Sequence, residues 1–201
     1  DQGDPEVNLN LGCPVGSVTG KGKGCAMLRD VDGLRRFLDQ VYLNPPARVS
    51  VKTRIGWESP EEWPLLAAIY REYPISELTV HPRTRSQFYT GEAWPEALAE
   101  LQGAKFPVVY NGDLFTAEDC RRLLEQYPWI SALMLGRGLV TNPALARELA
   151  GGPPLQLEDV TGFHRRLWAA YARECPPQAA LGRMRQMMRF FFGCFDAPTR
   201  V

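Results

Sequence analysis

The sequence predicts an α/β chain, part of a (β/α)8 barrel, followed by a small all-α C-terminal domain. Three observations predict this. Five segments carry apolar residues at strand spacing, helical patterns fill the gaps between them, and polar or special residues gather at the C-terminal end of each strand. The order βαβαβαβαβα with short loops implies parallel strands and crossover helices. A doubly wound sheet binds its ligand at one switch point, whereas a barrel brings every strand end to one mouth. The polar residues recur at every strand end, which favours the barrel.

The first strand is read from Val7, Leu9 and Leu11 alternating with Asn8, Asn10 and Gly12. The second is Val49, Val51, Thr53 and Ile55 alternating with Ser50, Lys52 and Arg54. The third sets Leu78 and Val80 against Thr79, His81 and Arg83. The segments 106–111 and 131–137 are more uniformly apolar, as strands covered on both faces should be. Between them, Leu34, Phe37, Leu38 and Val41 share a helical face. Ser59-Pro60-Glu61-Glu62 reads as an N-cap, a first-turn proline and a capping-box glutamate ahead of Leu65, Leu66 and Ile69. Thr116 to Asp119 opens a helix carrying Cys120, Leu123 and Leu124, and Asn142-Pro143 starts a short one. Residues 1–150 are assigned to the barrel and 151–201 to the helical domain, with Gly151-Gly152-Pro153-Pro154 beginning a linker over 151–160. In the tail, Val160, Phe163, Leu167, Trp168 and Tyr171 form one stripe, and Leu181, Met184, Met188, Phe191 and Phe195 a second.

Composition narrows the function. The 201 residues balance 23 Lys and Arg against 23 Asp and Glu, which argues against coating nucleic acid by bulk charge. The balance is uneven along the chain. From residue 160 onward seven Arg face only Glu174 and Asp196, a local excess of +5, which reads either as a solvated helical face or as an RNA-facing surface. No apolar run reaches the roughly 18 residues of a membrane span, and the polar start from Asp1 to Glu6 excludes a signal peptide at this end. Five scattered cysteines without a C-x-x-C pair indicate a reducing compartment, with the cytoplasm as the default. Two histidines 83 residues apart make a His-based zinc site unfavourable, so no metal is expected. A monomer is expected.

The strand ends hold the candidate chemistry. Cys13 follows the first strand between Gly12 and Pro14, facing a mouth that contains Lys52 and His81. A free thiol of pKa about 8.5 is mostly protonated at neutral pH, so it can donate a proton as well as attack. Cys25, Cys120, Cys175 and Cys194 sit in helical or tail patterns and read as packing. Lys52, on an otherwise apolar strand, either pairs with a carboxylate or faces an anionic or electron-rich cofactor. His81 is either a satisfied core histidine or a ligand contact. Asn111-Gly112-Asp113 and Gly136-Arg137-Gly138 end the last two strands, where such barrels bind phosphate through backbone N–H groups and a cation. Gly20-Lys21-Gly22-Lys23-Gly24 matches neither a P-loop nor a dinucleotide turn and is expected to be a flexible loop near Cys13.

These residues resemble the tRNA-dihydrouridine synthases. Asn10-Leu11-Gly12-Cys13-Pro14, with Val18 and the Gly22-to-Gly24 loop behind it, is similar to the family's N-x-G-C-P segment, and Lys52-Thr53-Arg54-Ile55-Gly56-Trp57 to its V-K-x-R-x-G strand end. His81-Pro82-Arg83-Thr84-Arg85, with Gln87, Tyr89, Gly91 and Trp94, resembles H-x-R-T-x-x-Q-x-Y-x-G-x-x-W. Asn111-Gly112-Asp113, Gly136-Arg137-Gly138 and Asn142-Pro143 complete a set covering residues 7–145. The resemblance implies an FMN enzyme that uses NADPH to reduce the C5=C6 bond of uridine in tRNA. It implies that Cys13 protonates C5, and that Lys52, His81, Asn111, Gly112, Asp113, Gly136 and Arg137 hold FMN. It further implies that Asn10 lines the site, that Arg83 and Arg85 face substrate, and that Arg183, Arg185 and Arg189 grip tRNA.

The family's first strands, with an A-P-M-like flavin contact and a Q-x-x-G segment, have no counterpart in this sequence. A full barrel needs eight units of roughly 30 residues, and about the last five are legible. The chain is therefore expected to be the C-terminal portion of a longer protein and a poor enzyme alone. Two other readings fit the same residues: an FMN barrel dehydrogenase acting on a free pyrimidine, and a non-catalytic RNA-binding remnant.

Overall fold

A computed structural model of the chain describes residues 5–191. Cys194, Phe195, Asp196 and the last of the tail arginines lie outside the described residues. Five parallel strands form one sheet in the order β1-β2-β3-β4-β5: β1 (Glu6–Leu11), β2 (Arg48–Arg54), β3 (Leu78–His81), β4 (Val108–Tyr110) and β5 (Ala132–Leu133). Sequential order without a reversal means the sheet has no switch point.

Register shows how the sequence aligns the polar rows. Asn10 pairs with Lys52, Lys52 with Thr79, and Thr79 with Val109. One step further on, Arg54 pairs with His81. Alternation puts Ser50, Lys52 and Arg54 on one face of β2, while Val51 on the opposite face is fully buried. Leu78 and Val80 on the same side of β3 are buried as well.

The connections follow the capping signals closely. The β1 crossover contains α1 (Gly16–Thr19), a 3-10 turn at Gly24–Arg29 and α2 (Val31–Leu43), the last capped by Asp30 accepting from the Gly33 N–H at 2.8 Å. Leu34 and Leu38 are its buried residues. Ser59 opens a 3-10 turn at Pro60–Glu62 that leads into α3 (Trp63–Tyr70), and the capping box is complete. Leu65, expected on the buried face, is 51% exposed. Leu66, Ile69 and Tyr70, spaced three and four apart, fix the packed face, and one helical step of about 100° carries Leu65 off it. The β3 crossover has no α-helix and uses a 3-10 segment at Pro95–Leu101, tied back where the Trp63 indole donates to the Ala97 carbonyl at 2.6 Å. Thr116 and Asp119 form a second complete capping box for α4 (Ala117–Gln126).

The strand expected at 131–137 is short. Gly136 turns the backbone, and Arg137–Thr141 form α5 directly, followed by α6 (Leu145–Leu149). Gly138 explains the turn: a Cβ there would lie 2.0 Å from the Leu114 carbonyl oxygen, so only glycine permits this approach.

The chain divides into two compact units, one of residues up to Gly112 with Pro128–Met134, the other of Asp113–Tyr127 with Leu135 onward. The first holds the whole sheet. In the second, α7 (Leu157–Glu174) starts inside the expected linker and α8 (Pro177–Phe191) packs on α7 and α5. Ala180 and Met184 are the buried residues of α8, whereas Leu181, expected in that stripe, is 45% exposed. Met184 keeps its place in the predicted stripe, and Ala180 takes the buried position expected of Leu181. No described helix is long and apolar enough to cross a membrane.

Candidate active site at the strand ends

The C-terminal ends of β1, β2 and β3 hold the candidate residues of the first unit. Asn10 accepts the Gly12 N–H on its Oδ1 at 3.1 Å, which turns the chain at the end of β1. Arg54 then fixes this turn from β2. Its guanidinium is 1% exposed and donates from Nε to the Gly12 carbonyl at 3.2 Å and from Nη1 to the Thr84 carbonyl at 2.8 Å. One buried side chain therefore ties the loop after β1 to the loop after β3. It also lies over the Tyr89 ring at 5.3 Å.

Cys13 follows this turn and is half-buried. Its carbonyl accepts the Cys25 N–H at 3.1 Å. A Cβ on Gly24 would sit 2.8 Å from that carbonyl oxygen and 3.1 Å from the Cys13 Cβ, and Gly24 has φ +61°. The glycine-rich segment, expected near Cys13, joins α1 to the 3-10 turn at Gly24–Arg29 and brings Gly24 and Cys25 against Cys13. Cys25 is fully buried, and that burial pushes its thiol up to about 12. Cys120 is likewise buried, as expected of packing thiols.

Lys52 stands between Asn10 and Thr79 in the register, half-buried, and makes no hydrogen bond or ion pair among the described residues. Among the described residues no carboxylate pairs with it to make it structural. Burial, and after it the charge of Arg54, pull its ammonium below the ordinary lysine range. An unpaired cation in such a place is matched by an anionic or electron-rich ligand.

His81 is 7% exposed, with Nε2 3.4 Å from the Arg83 Nη1 and its ring 6.0 Å from that of Tyr89. Arg83 is wholly buried and donates to the Gly91 carbonyl at 2.6 Å, bracing the loop that carries Tyr89. Arg85 is half-buried and lies over Trp57 and Phe88. Asn111 donates from Nδ2 to the Met134 carbonyl at 2.8 Å, and Gly112 follows it. Asp113, Gly136 and Arg137 belong to the second unit, where the Arg137 guanidinium is ion-paired with the Asp113 carboxylate and lies 5.8 Å from the Phe115 ring centre. Among the described residues no cluster of three or more His, Cys, Asp and Glu could hold a metal ion.

The family model for dihydrouridine synthase matches residues 1–154. This chain belongs to the dihydrouridine synthase family. It is 32% identical over 195 residues to the tRNA-dihydrouridine(16) synthase of Pseudomonas putida, covering 92% of this chain and 60% of that protein. It is 35% identical over 145 residues to tRNA-dihydrouridine synthase B of Pseudomonas aeruginosa, covering 71% and 43%. A third relative, the tRNA-dihydrouridine(16) synthase of Aquipseudomonas alcaligenes, is 32% identical over 197 residues, covering 92% and 62%. The chain thus spans about two-fifths to three-fifths of the length of these relatives.

Two residues of the candidate site have roles that the motifs alone do not give. Arg54 is the arginine of the V-K-x-R-x-G match, on the same strand face as Lys52, but its bonds to the loops after β1 and β3 are visible only in the structure. Gly24 lies in the glycine-rich loop expected near Cys13, and its close approach to the Cys13 carbonyl and Cβ is what the structure adds. In the second unit, Arg183, Arg185 and Arg189 are exposed along α8, and Arg183 lies 5.5 Å from the Tyr171 ring centre.

Proposed function

We propose that the protein carrying this chain reduces the C5=C6 bond of a uridine in tRNA, and that its five strands form an arc of a (β/α)8 barrel. The observation that carries the reading is Lys52: a half-buried cation without a counter-ion, in register with Asn10 and one turn of chain from a presented thiol. FMN fits this donor set, because an isoalloxazine ring supplies the electron density that Lys52 lacks. Bound FMN, reduced by NADPH, would supply the hydride that adds at C6 of the uracil.

The chain's own residues then have separable roles. Lys52 and His81 hold the flavin ring. Asn111, Gly112, Asp113, Gly136 and Arg137 are assigned to its phosphate, with Arg137 as the cation and Asp113 orienting it. Asn10 lines the uracil side. Cys13 donates its proton at C5, held in place by the bond from the Cys25 N–H and by Arg54 on the preceding carbonyl. Arg83, fully buried, acts on substrate through the loop it braces, whereas Arg85 lies at the rim. Because the reacting bond lies inside a base stack, the uridine must leave that stack to reach the strand ends. The helical tail over 151–201, with Arg183, Arg185 and Arg189, serves as a tRNA-binding surface. The two relatives matched over 92% of this chain are both named for position 16, which supports position 16 as the target.

The test is direct. The whole protein, purified with its flavin spectrum recorded, is incubated with NADPH and unmodified tRNA transcript, and dihydrouridine is mapped. Reduction at one position in the wild type, lost in Cys13→Ala with flavin still bound, is the expected result. Reduction of free uracil or orotate without effect on tRNA, or full tRNA activity in Cys13→Ala, would overturn the assignment.

A further inference from the structure

An alternating stack of guanidinium groups and rings runs along the rim of the strand ends. The Arg29 guanidinium lies 4.9 Å from the Trp57 ring centre, Arg85 lies 4.5 Å from the same ring, and Arg85 also lies 5.0 Å from the Phe88 ring. Arg29 comes from the crossover after β1, Trp57 from the loop after β2, and Arg85 and Phe88 from the loop after β3. All four therefore stand at the end of the sheet that carries Cys13 and Lys52. Main-chain bonds lock the two loops together, the Arg85 N–H on the Gly56 carbonyl at 2.9 Å and the Ser86 N–H on the Trp57 carbonyl at 3.0 Å.

Phe88 is the anomaly in this stack. It is the one non-glycine residue with positive φ among the described residues, at +51°. A side chain with a Cβ is disfavoured there, and glycine or asparagine would relax it. The strain secures no core packing, because Phe88 is 38% exposed. It turns an aromatic ring outward at the end of the stack, with Arg85 stiffening it from behind. Strain kept without a packing gain points to function.

The stack also has unused donors. Arg29 is exposed and has no hydrogen-bond or ion-pair partner among the described residues. The Arg85 guanidinium makes no hydrogen bond or ion pair among the described residues, and because its Nε is buried, its terminal N–H groups are the ones open to a ligand. The nearby Glu62 carboxylate is occupied, accepting the N–H groups of Trp57, Glu58 and Ser59 at 2.7, 2.9 and 2.9 Å. Ring faces interleaved with unpaired guanidinium groups match a polymer of bases and phosphates, with bases stacking on rings and phosphates taking the N–H groups.

The geometry points to Phe88 as a stacking platform for an unpaired nucleobase of the RNA that presents the target uridine, with Arg29 and Arg85 on the adjoining phosphates. This rests on the tRNA reading above. Phe88 occupies a position between the matched Gln87 and Tyr89 that the family resemblance does not assign.

The experiment compares the whole protein with Phe88→Ala, Phe88→Gly and Phe88→Trp, using unmodified tRNA transcript, with KM, kcat and melting temperature as readouts. Loss of a base stack raises KM about 10- to 100-fold in the Ala and Gly variants, with kcat near the wild-type value and KM restored by Trp. Phe88→Gly also melts no lower than the wild type, since it relieves the positive φ. A KM for Ala and Gly within twofold of the wild type overturns the proposal. So does a fall in melting temperature of Phe88→Gly together with no rescue by Trp, which would make the ring structural. If the wild type itself neither binds nor reduces tRNA, the underlying reading fails, a result distinct from equal behaviour of the variants.

Discussion

A half-buried ammonium without a counter-ion opposes folding, because burial disfavours the charged form. Lys52 is in that position, and its lowered pKa follows from burial first and Arg54 second. The folded chain therefore gives up the Lys52 proton more readily than the unfolded chain. Stability rises with pH in the alkaline range below the ordinary lysine value of about 10.4, since there the unfolded state binds more protons. Flavin retention is expected to move the opposite way as the cation is lost. Lys52→Met tests both: the flavin-free protein gains about 0.5–2 kcal/mol in urea unfolding, while the protein is purified with less flavin. A variant that loses stability and keeps its flavin would remove Lys52 from the site. At this scale the sequence was informative where a residue type was out of place, as with Lys52 on an apolar strand or Cys13 between Gly12 and Pro14. Arg54 was less legible. Arg54 stands in the V-K-x-R-x-G match, but nothing local tells that it is buried and satisfied by two carbonyls 72 residues apart in the chain, Gly12 and Thr84.

At the scale of elements, caps and alternation were readable because they are local. The boxes at Ser59 and Thr116 depend on residues three apart, and both are complete in the structure. Faces of helices were less so. Leu65 and Leu181 each sit one helical step from the packed stripe, and apolar composition alone does not choose between neighbouring registers. The Pro95–Leu101 crossover and the two-residue β5 depend on tertiary contacts that no period records. Glu62 belongs to an element with a consequence beyond itself. Its carboxylate accepts three consecutive N–H groups, including that of Trp57 in the guanidinium stack. Glu62→Ala leaves those donors unpaired and removes the capping-box partner, at a cost of about 2 kcal/mol. Chemical denaturation measures that cost. The tRNA KM rises in the same variant because the Trp57 loop loses its anchor, whereas Glu62→Gln, still an acceptor, falls between Ala and the wild type on both readouts.

At the scale of the whole molecule, a net charge of zero conceals a division between the two units. The first carries the sheet and the residues for chemistry, whereas exposed arginines concentrate on the helices of the second. Counter-charges on those helices are few: Arg173 pairs with its neighbour Glu174 at 3.2 Å, and Asp159 is taken by Arg147 through two contacts of 2.9 and 2.5 Å. That pairing, with the Gln156 N–H, holds the Asp159 carboxyl down at about 2, so it stays ionised and engaged at neutral pH. Arg183, Arg185 and Arg189 are left for an external anion. Each phosphate contact contributes roughly 0.7–0.9 to the slope of log affinity against log salt. Replacing the three with Gln in the whole protein should reduce that slope by about two and weaken tRNA binding at low salt, while flavin content and reactivity with NADPH alone stay at wild-type levels. Lys52→Met should give the complementary pattern, with flavin lost and the salt slope for tRNA retained. An unchanged slope in the triple variant would mean that the tail arginines are a solvated face, and that the RNA is held by the strand-end rim of the first unit.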